Sequence, residues 1–520
     1  MSKLKRVARG TTIVLLCALA LVGAILLGTS LWVQHEFGIT SVDQALINLE
    51  GAGQPGGGGA AVVVRGVFWG LVVPVVCVAT VAGSALLWRR RSENSRISSV
   101  GIPLIALGCC VVIPVLGVAK STTVFSLDDY VKSTRSTQSV GDYYVVPANP
   151  EVGYSADGVP LNLVLIYLES TEDAFRDTSI FEQNVFAPLD AVTEGWYSIP
   201  ALQEYYGGGF TMSGIVSTQC GIPLRTGDVG ARDGDAMNEL GGNVASYLPG
   251  ATCLGDVLQA NGYEGVFMGG ANGAFSGKSQ FFLSHGYGES LGREEWEALG
   301  ETEGRSDWGL SDRRLVELAK EKVTELHEGS QPFVLSLLTL DTHPAEYVLP
   351  YCEITTDVPY TSIYRCSMEQ VASFVSYMED QGYLEDTVVM IMGDHLRLAG
   401  SGDPLHGYLT DLEGRTIYNR IWSPQAVDIQ ITTIDQISVY PTILELLGVD
   451  LEGGRAGVGV SALTEEVDRG SIRALTPDDY QDLLRSRSAS FYDEMWQTES
   501  EYTRTNGEAD LNATSLDEVR

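Results

Sequence analysis

The chain has 520 residues, with 33 Lys and Arg against 67 Asp and Glu, for a net charge of −34. That acidity excludes nucleic acid as a partner, because phosphate binding needs basic patches. A composition 44% hydrophobic excludes a chain disordered throughout. In chain order the first predicted elements are three uncharged apolar runs, at residues 11–32, 66–88 and 101–119. Each is close to the roughly 20 residues that span a bilayer as a helix. The first is not read as a signal peptide, because two more spans follow and no small-residue cleavage pattern is evident. MSKLKRVAR precedes the first span and RRRSENSR separates the second from the third, whereas the 33–65 loop carries only Arg65. Basic flanks stay cytoplasmic, so residues 1–120 are a multi-pass anchor and everything beyond about residue 120 lies outside the cytoplasmic membrane.

Residues 51–59, GAGQPGGGG, read as a flexible external loop. Residues 121–157 are polar with little periodicity and read as a linker. From 158 to 465 the pattern becomes α/β, with buried strands expected at 161–170, 264–270, 332–343 and 387–395. Their continuous apolar, β-branched character suits a mostly parallel sheet covered on both faces. Helices are expected between them, at 311–328 and 367–383, giving one large α/β domain. Residues 466–520 read as a helix followed by an acidic mobile tail from about 500. Cys17, Cys77, Cys109 and Cys110 fall inside the spans, while Cys220, Cys253, Cys352 and Cys366 fall in the outer part. Four cysteines in an oxidising compartment suggest two disulfides, with the sequence-local pairs Cys220–Cys253 and Cys352–Cys366 favoured over a Cys₄ zinc site.

Open α/β sheets place ligands at the carboxyl ends of their strands. There LVLIYLES ends in Glu169, LSLLTLDTH in Asp341 and His343, and VVMIMGDH in Asp394 and His395. Carboxylates mixed with imidazole suit one divalent cation, Mn²⁺ first, with Mg²⁺ or Zn²⁺ as alternatives. A nucleophile is offered by GGGFTMSGIVSTQCGIPLR, residues 207–225, where a glycine run leads into a helix starting near Thr211. A hydroxyl at a helix N-terminus and beside a cation is stabilised as an anion from two directions. Ser213 points about 200° around such a helix from Thr211, and Thr218 lies about 10 Å further along the axis. Geometry thus selects Thr211, against the bland reading of a threonine N-cap. An irregular helix start would bring Ser213 back into play.

The motifs LVLIYLES, STQCGIPL, CLGDVLQANGY, SDWGLSD, LTLDTHP and GDHL occur in one order over roughly residues 160–450. In this the chain resembles the phosphoglycerol transferase/lipoteichoic acid synthase family of the alkaline phosphatase/sulfatase superfamily. It is most similar to the branch acting on membrane-derived oligosaccharides. The resemblance implies an extracytoplasmic sulfatase-like domain behind the membrane anchor, with a metal held by Glu169, Thr211, Asp394 and His395. It also implies Thr211 as the catalytic nucleophile, His343 as a catalytic and substrate-binding residue at the headgroup site, and Lys278, in AFSGKSQFF, as a contact to substrate phosphate. The implied reaction moves glycerol phosphate from phosphatidylglycerol, through a threonine-linked intermediate, to a glycan, glycolipid or polyglycerolphosphate acceptor. Lipoteichoic acid synthases typically continue their Asp-His with Tyr-Gly, where this chain has Leu396 and Arg397.

Three alternatives stand beside that reading. A sulfatase uses a modified Cys or Ser in C/S-x-P/A-x-R, but CGIPLR sets Pro223 three residues after Cys220 and Arg225 five after. A phosphoethanolamine transferase would keep the threonine and metal and take another headgroup. A non-catalytic, membrane-anchored binding protein would not need Glu169, Thr211, Asp394 and His395 intact.

Overall fold

The computed structural model describes residues 3–42, 59–91, 96–148, 150–154, 158–225, 246–301, 304–305, 308–344, 346–465 and 468–497. Most of the glycine loop (51–58) and the tail from 500 lie outside the described residues. The chain divides into two compact units. One comprises Met1–Leu46, Gly59–Val131 and Leu398–His406, and the other the remainder.

The first unit is built from helices α1 (Lys3–Glu36), α2 (Gly59–Val67), α3 (Val73–Arg91) and α4 (Arg96–Val124), with a π-helical turn, Phe68–Val72, joining α2 to α3. Val14–Glu36 and Val62–Ser84 are long and apolar enough to cross a membrane. A third span results if the pair Cys110–Val124 and Leu127–Ser133, bent by 64°, is counted as one. Small residues let these helices approach closely. A Cβ on Gly117 would sit 2.4 Å from the Gly23 carbonyl oxygen, and one on Gly28 2.5 Å from that of Trp69. Lipid tails give helices no hydrophobic reason to associate, so such close packing and interhelical hydrogen bonds hold the bundle. The buried Ser30 and Ser121 hydroxyls supply one such bond, at 2.9 Å. The outward faces are apolar, with Leu15, Val22, Val76 and Leu116 each more than half exposed.

The second unit carries a six-stranded sheet of β1 (Asn162–Leu168), β2 (Glu264–Gly269), β3 (Glu289–Leu291), β4 (Phe333–Leu338), β5 (Thr387–Gly393) and β6 (Asn419–Trp422). Their spatial order is β3-β2-β4-β1-β5-β6, all parallel except β6, which runs antiparallel to β5. Every residue of β1, β4 and β5 is buried, as expected of central parallel strands covered on both faces. In register, Leu165 lies opposite Ser336 on one side and Met390 on the other. The three strands therefore end together.

Helix α5 (Thr211–Cys220) follows the glycine run, and α6 (Asp312–His327) is capped by the Ser311 hydroxyl accepting from the Arg314 N–H. Helix α7 (Pro359–Asp380) begins well before the expected 367, because Pro359 occupies the first turn, where its missing N–H costs nothing. Beyond 466 the described residues hold two α-helices rather than one, Pro477–Arg485 and Ala489–Met495, separated at Ser488 by a left-handed φ of 44°. Part of the expected linker packs as well. Val140 is fully buried, and Val145 exchanges backbone hydrogen bonds of 2.7 and 2.8 Å with Gly457. A few apolar residues in a polar stretch were enough to dock it, without a periodicity to announce it. Both favoured disulfides, Cys220–Cys253 and Cys352–Cys366, are formed.

Candidate active site

The parallel strands deliver their polar ends to one edge. Glu169 follows β1, and Asp394 and His395 follow β5. One ligand atom from each of these three lies within 4.8 Å of the others, and all three residues are buried. Their orientation is built by hydrogen bonds. Asp394 Oδ1 accepts from the Ser170 and His395 N–H groups, both at 2.8 Å, while Oδ2 is buried without a hydrogen-bond partner. His395 Nδ1 donates to the Leu396 carbonyl at 2.7 Å. The lone pair then resides on Nε2, which sits 3.6 Å from Asp394 Oδ2 and 3.8 Å from Glu169 Oε1, beyond hydrogen-bond reach. A metal-ligating histidine is held in this way, one ring nitrogen on a carbonyl and the other turned to the ion. The orphaned carboxylate oxygen and this tautomer fit a divalent cation.

Thr211 completes the cluster. Phe210, extended at φ −157°, is the N-cap, so Thr211 is the first residue inside α5. Its hydroxyl does not cap the helix but donates to Glu169 Oε2 at 3.2 Å, while Ser170 Oγ donates to Oε1 at 2.6 Å. The other hydroxyls of the stretch are engaged elsewhere. Ser213 is fully buried and donates to the Gly207 carbonyl at 2.8 Å, with Tyr205 Oη also beside it. Thr218 bonds the Gly214 carbonyl and the Tyr167 hydroxyl, and Cys220 is in its disulfide. Gly207, at φ +97°, makes the turn before the helix that a side chain would strain.

Helix α5 reaches the end of β5 through Gly214, where an added Cβ would lie 2.1 Å from the Asp394 carbonyl oxygen. Gly214→Ala would gain up to about 1 kcal/mol of helix propensity. The clash is with backbone, however, and overpacking of this kind costs about 1–3 kcal/mol. The expected result is a lower midpoint of thermal unfolding together with weaker Mn²⁺ binding. A variant as stable as the parent would refute the tight contact.

The electrostatics follow from crowding. Burial pushes the Glu169 carboxyl up, but the charges of His343 and His395 and the hydrogen bonds from Ser170 and Thr211 outweigh it and hold Glu169 below the ordinary carboxylate range. Asp394 is pushed up to about 7 by burial and by the Glu169 charge, against the pull of His395 and the Ser170 N–H. Burial opposes a charged His395, yet the charges of Asp394, Glu169 and Glu204 raise its pKa overall.

His343, half-buried, is close enough to act on Glu169 and packs against Trp308 as a tilted ring pair with centroids 4.0 Å apart. Its Nδ1 bonds the Pro344 carbonyl. Lys278 is 5% exposed, donates to the Phe275 carbonyl at 2.8 Å, and also feels the Glu169 charge. Burial lowers its pKa to about 8. Asp341, carried by the same strand end as His343, is not part of the cluster. Its Oδ2 accepts from the Tyr351 hydroxyl at 2.6 Å and the Asp312 N–H at 3.2 Å. Sequence reasoning missed Ser170 and Trp308 as contributors. Ser170 is adjacent to Glu169 and Trp308 lies within SDWGLSD, so both were within reach of a closer reading. A second buried group, Cys220, Cys253 and His285, has the residue types of a metal site, but its sulfurs are joined as a disulfide.

Residues 161–449, more than half of the chain, match the Sulfatase family model. Phosphoglycerol transferase I of Escherichia coli strain 55989 / EAEC is 28% identical over 411 residues, covering 76% of this chain and 50% of that protein. Its counterpart in Escherichia coli O6:K15:H31 is 29% identical over 407 residues, covering 75% and 50%. The chain thus spans about half the length of the curated relatives it matches. Among solved structures, the lipoteichoic acid synthase LtaP from Listeria monocytogenes is 17% identical with a TM-score of 0.46, covering 66% of this chain and 95% of that one. The lipooligosaccharide phosphoethanolamine transferase A from Neisseria meningitidis is 15% identical with a TM-score of 0.46, covering 83% and 84%. On the family match, which runs from the start of β1 past the Asp394-His395 pair, the chain belongs to the sulfatase family.

Proposed function

We propose that the protein is a membrane-anchored, metal-dependent phosphoglycerol transferase that takes glycerol phosphate from phosphatidylglycerol and passes it, through Thr211, to an extracytoplasmic glycan, glycolipid or polyglycerolphosphate acceptor. The observation that carries this reading is the Thr211 hydroxyl on Glu169 Oε2 at 3.2 Å, beside Asp394 and His395. A nucleophile needs that placement, and a helix cap would not. Names of relatives add support, and the basic flanks of the apolar helices favour an extracytoplasmic catalytic unit.

Glu169, Thr211, Asp394 and His395 would hold the cation, with Mn²⁺ in first place. Such an ion supplies Lewis-acid stabilisation of phosphoryl charge and lowers the pKa of a nearby hydroxyl. Thr211 Oγ, half-buried, loses its proton to solvent and forms a bond to phosphorus. The bond from phosphorus to the diacylglycerol oxygen breaks, and that oxygen takes a proton from His343. In the second half an acceptor hydroxyl gives its proton to His343 and bonds to phosphorus. Thr211 Oγ leaves and is reprotonated from solvent. His343 thereby returns to its starting state, as acid–base catalysis requires. Lys278 faces the negative charge of the phosphodiester.

Lys278 gives the reading a pH signature. With its pKa lowered to about 8 by burial, it is charged at neutral pH and loses that charge as pH rises through about 8. KM for phosphatidylglycerol is expected to rise above that pH. Lys278→Met should raise KM roughly tenfold or more at neutral pH, a charge-assisted contact being worth about 1.5–3 kcal/mol. It should also remove the alkaline rise. Stability moves the other way. Between about 8 and 10.5 the folded protein binds fewer protons at Lys278 than the unfolded chain, so this group adds stability with rising pH, an increment the methionine variant lacks. An unchanged KM profile in the variant would remove Lys278 from the substrate site.

The deciding experiment is mass spectrometry of the protein incubated with phosphatidylglycerol and Mn²⁺. A glycerophosphate adduct on the peptide spanning 207–225 is expected. An adduct formed only with phosphatidylethanolamine would replace the donor with the ethanolamine lipid. No adduct and no diacylglycerol release with either lipid, across several divalent metals, would favour a binding protein.

A further inference from the structure

The strand ends that bear Glu169, His343 and the Asp394–His395 pair are held together by a side chain no motif singled out. Arg397 is 1% exposed, one of the largest fully buried side chains in the protein. Its Nη1 donates to the Thr342 carbonyl and to the Tyr364 hydroxyl, each at 3.1 Å, and its guanidinium lies 4.0 Å from the centroid of the Tyr360 ring. Both hydrogen-bond acceptors lead to the site. Thr342 precedes His343, and its hydroxyl donates to the Glu169 carbonyl at 2.7 Å. The Tyr364 hydroxyl donates to the Ser170 carbonyl at 2.7 Å. The backbone of Arg397 continues from Asp394 and His395.

That backbone is itself clamped from outside. Arg415 Nη2 donates to the Arg397 carbonyl at 2.8 Å, while its Nε donates to Glu172 Oε2 at 2.6 Å. Glu204 Oε2 accepts from the Leu396 N–H at 2.7 Å, and Gln436 Nε2 donates to the Asp394 carbonyl at 2.7 Å. Every peptide from Asp394 to Arg397 is thus tied to a side chain, and Leu396 O is the acceptor that fixes the His395 tautomer.

We propose that Arg397, braced by the Arg415–Glu172 pair, is the positioning residue that sets the geometry of the metal–nucleophile cluster, by joining the segments bearing Glu169, His343 and Asp394–His395. This rests on the reading of that cluster as a metal site. Outer partners of metal ligands typically govern affinity by about 10–100-fold. A planar, multiply donating guanidinium suits a junction of carbonyl and hydroxyl acceptors as an ammonium does not.

The test is Mn²⁺ binding to the full chain in detergent, read by electron paramagnetic resonance rather than by turnover. Charge and position predict opposite signs. If Arg397 mattered only as a nearby positive charge, neutralising it would tighten binding of a cation. If it positions the ligands, Arg397→Met should weaken Mn²⁺ about 10–100-fold. Arg397→Lys, which keeps the charge, should also weaken it, though less. Tyr364→Phe removes only the branch to Ser170 and keeps the ring, so it is expected to fold even if the arginine variants do not, and to weaken Mn²⁺ a few-fold. Saturating Mn²⁺ should restore much of kcat in Tyr364→Phe with KM unchanged. Unaltered or tighter Mn²⁺ binding in the folded variants overturns the positioning role while leaving the metal site standing. Failure of the wild-type protein to bind Mn²⁺ overturns both.

Discussion

Thr211→Ala is expected to abolish the covalent intermediate and to lower transfer by about 10⁴-fold or more, the scale on which loss of an attacking group is felt. The substitution is small and local. Thr211 is only half-buried at the first position of α5 and does not provide its N-cap, so removing the hydroxyl should leave the helix in place. Glu169 loses one hydrogen bond on Oε2 and keeps that of Ser170 on Oε1. Mass spectrometry should find no glycerophosphate on residues 207–225, and thermal unfolding should shift by no more than a few degrees. Diacylglycerol release at the wild-type rate would exclude Thr211 as the nucleophile. Ser213→Ala is the informative partner. Ser213 is buried on the Gly207 carbonyl and beside Tyr205, so that variant should retain the adduct.

Asp394→Asn is expected to separate metal binding from folding. Asparagine can keep the carbonyl oxygen that accepts from the Ser170 and His395 N–H groups. It replaces the orphaned Oδ2 by an amide that cannot ligate a cation. The ionised carboxylate is disfavoured by burial and by Glu169, so its removal should leave the metal-free protein as stable as the parent, or more so. Mn²⁺ should raise the unfolding midpoint of the parent through preferential binding to the folded state. It should do so little or not at all in the variant, and transfer should fall at least about 10³-fold with the loss of Lewis-acid stabilisation. Equal Mn²⁺ stabilisation of both proteins would show that Asp394 is no ligand. Removal of metal from the parent by chelation should reproduce the loss of transfer reversibly.

Much of this was legible along the chain because it depends on local pattern. Continuous apolar runs named β1, β2, β4 and β5 before any contact was known, and the parallel rule then put Glu169, Asp394 and His395 at one edge. The pairing of Cys220 with Cys253 and of Cys352 with Cys366 followed from compartment and proximity, and both bonds are formed. Less legible were features that rest on single buried residues. Val140 docks the polar stretch before β1, and Pro359 starts α7 a full two turns early. Arg397 and Arg415 gave no signal, since an arginine two residues past a histidine, or alone in a loop, is ordinarily a solvated charge.

The sequence by itself determined the apolar helices near the N-terminus, the α/β class, the set of polar strand ends and the family. These are set by periodicity and composition, which each segment carries whatever it later packs against. Only the tertiary structure decided which hydroxyl of residues 207–225 meets the carboxylates. Thr211 and Glu169 are 42 residues apart, and their bond depends on α5 lying against Asp394 at Gly214. It also decided that Asp341 turns away to Tyr351, and that Arg397 ties three strand ends together. A hydrogen-bond partner is chosen by which groups the packed chain brings within about 3 Å, and no spacing in the sequence encodes that distance.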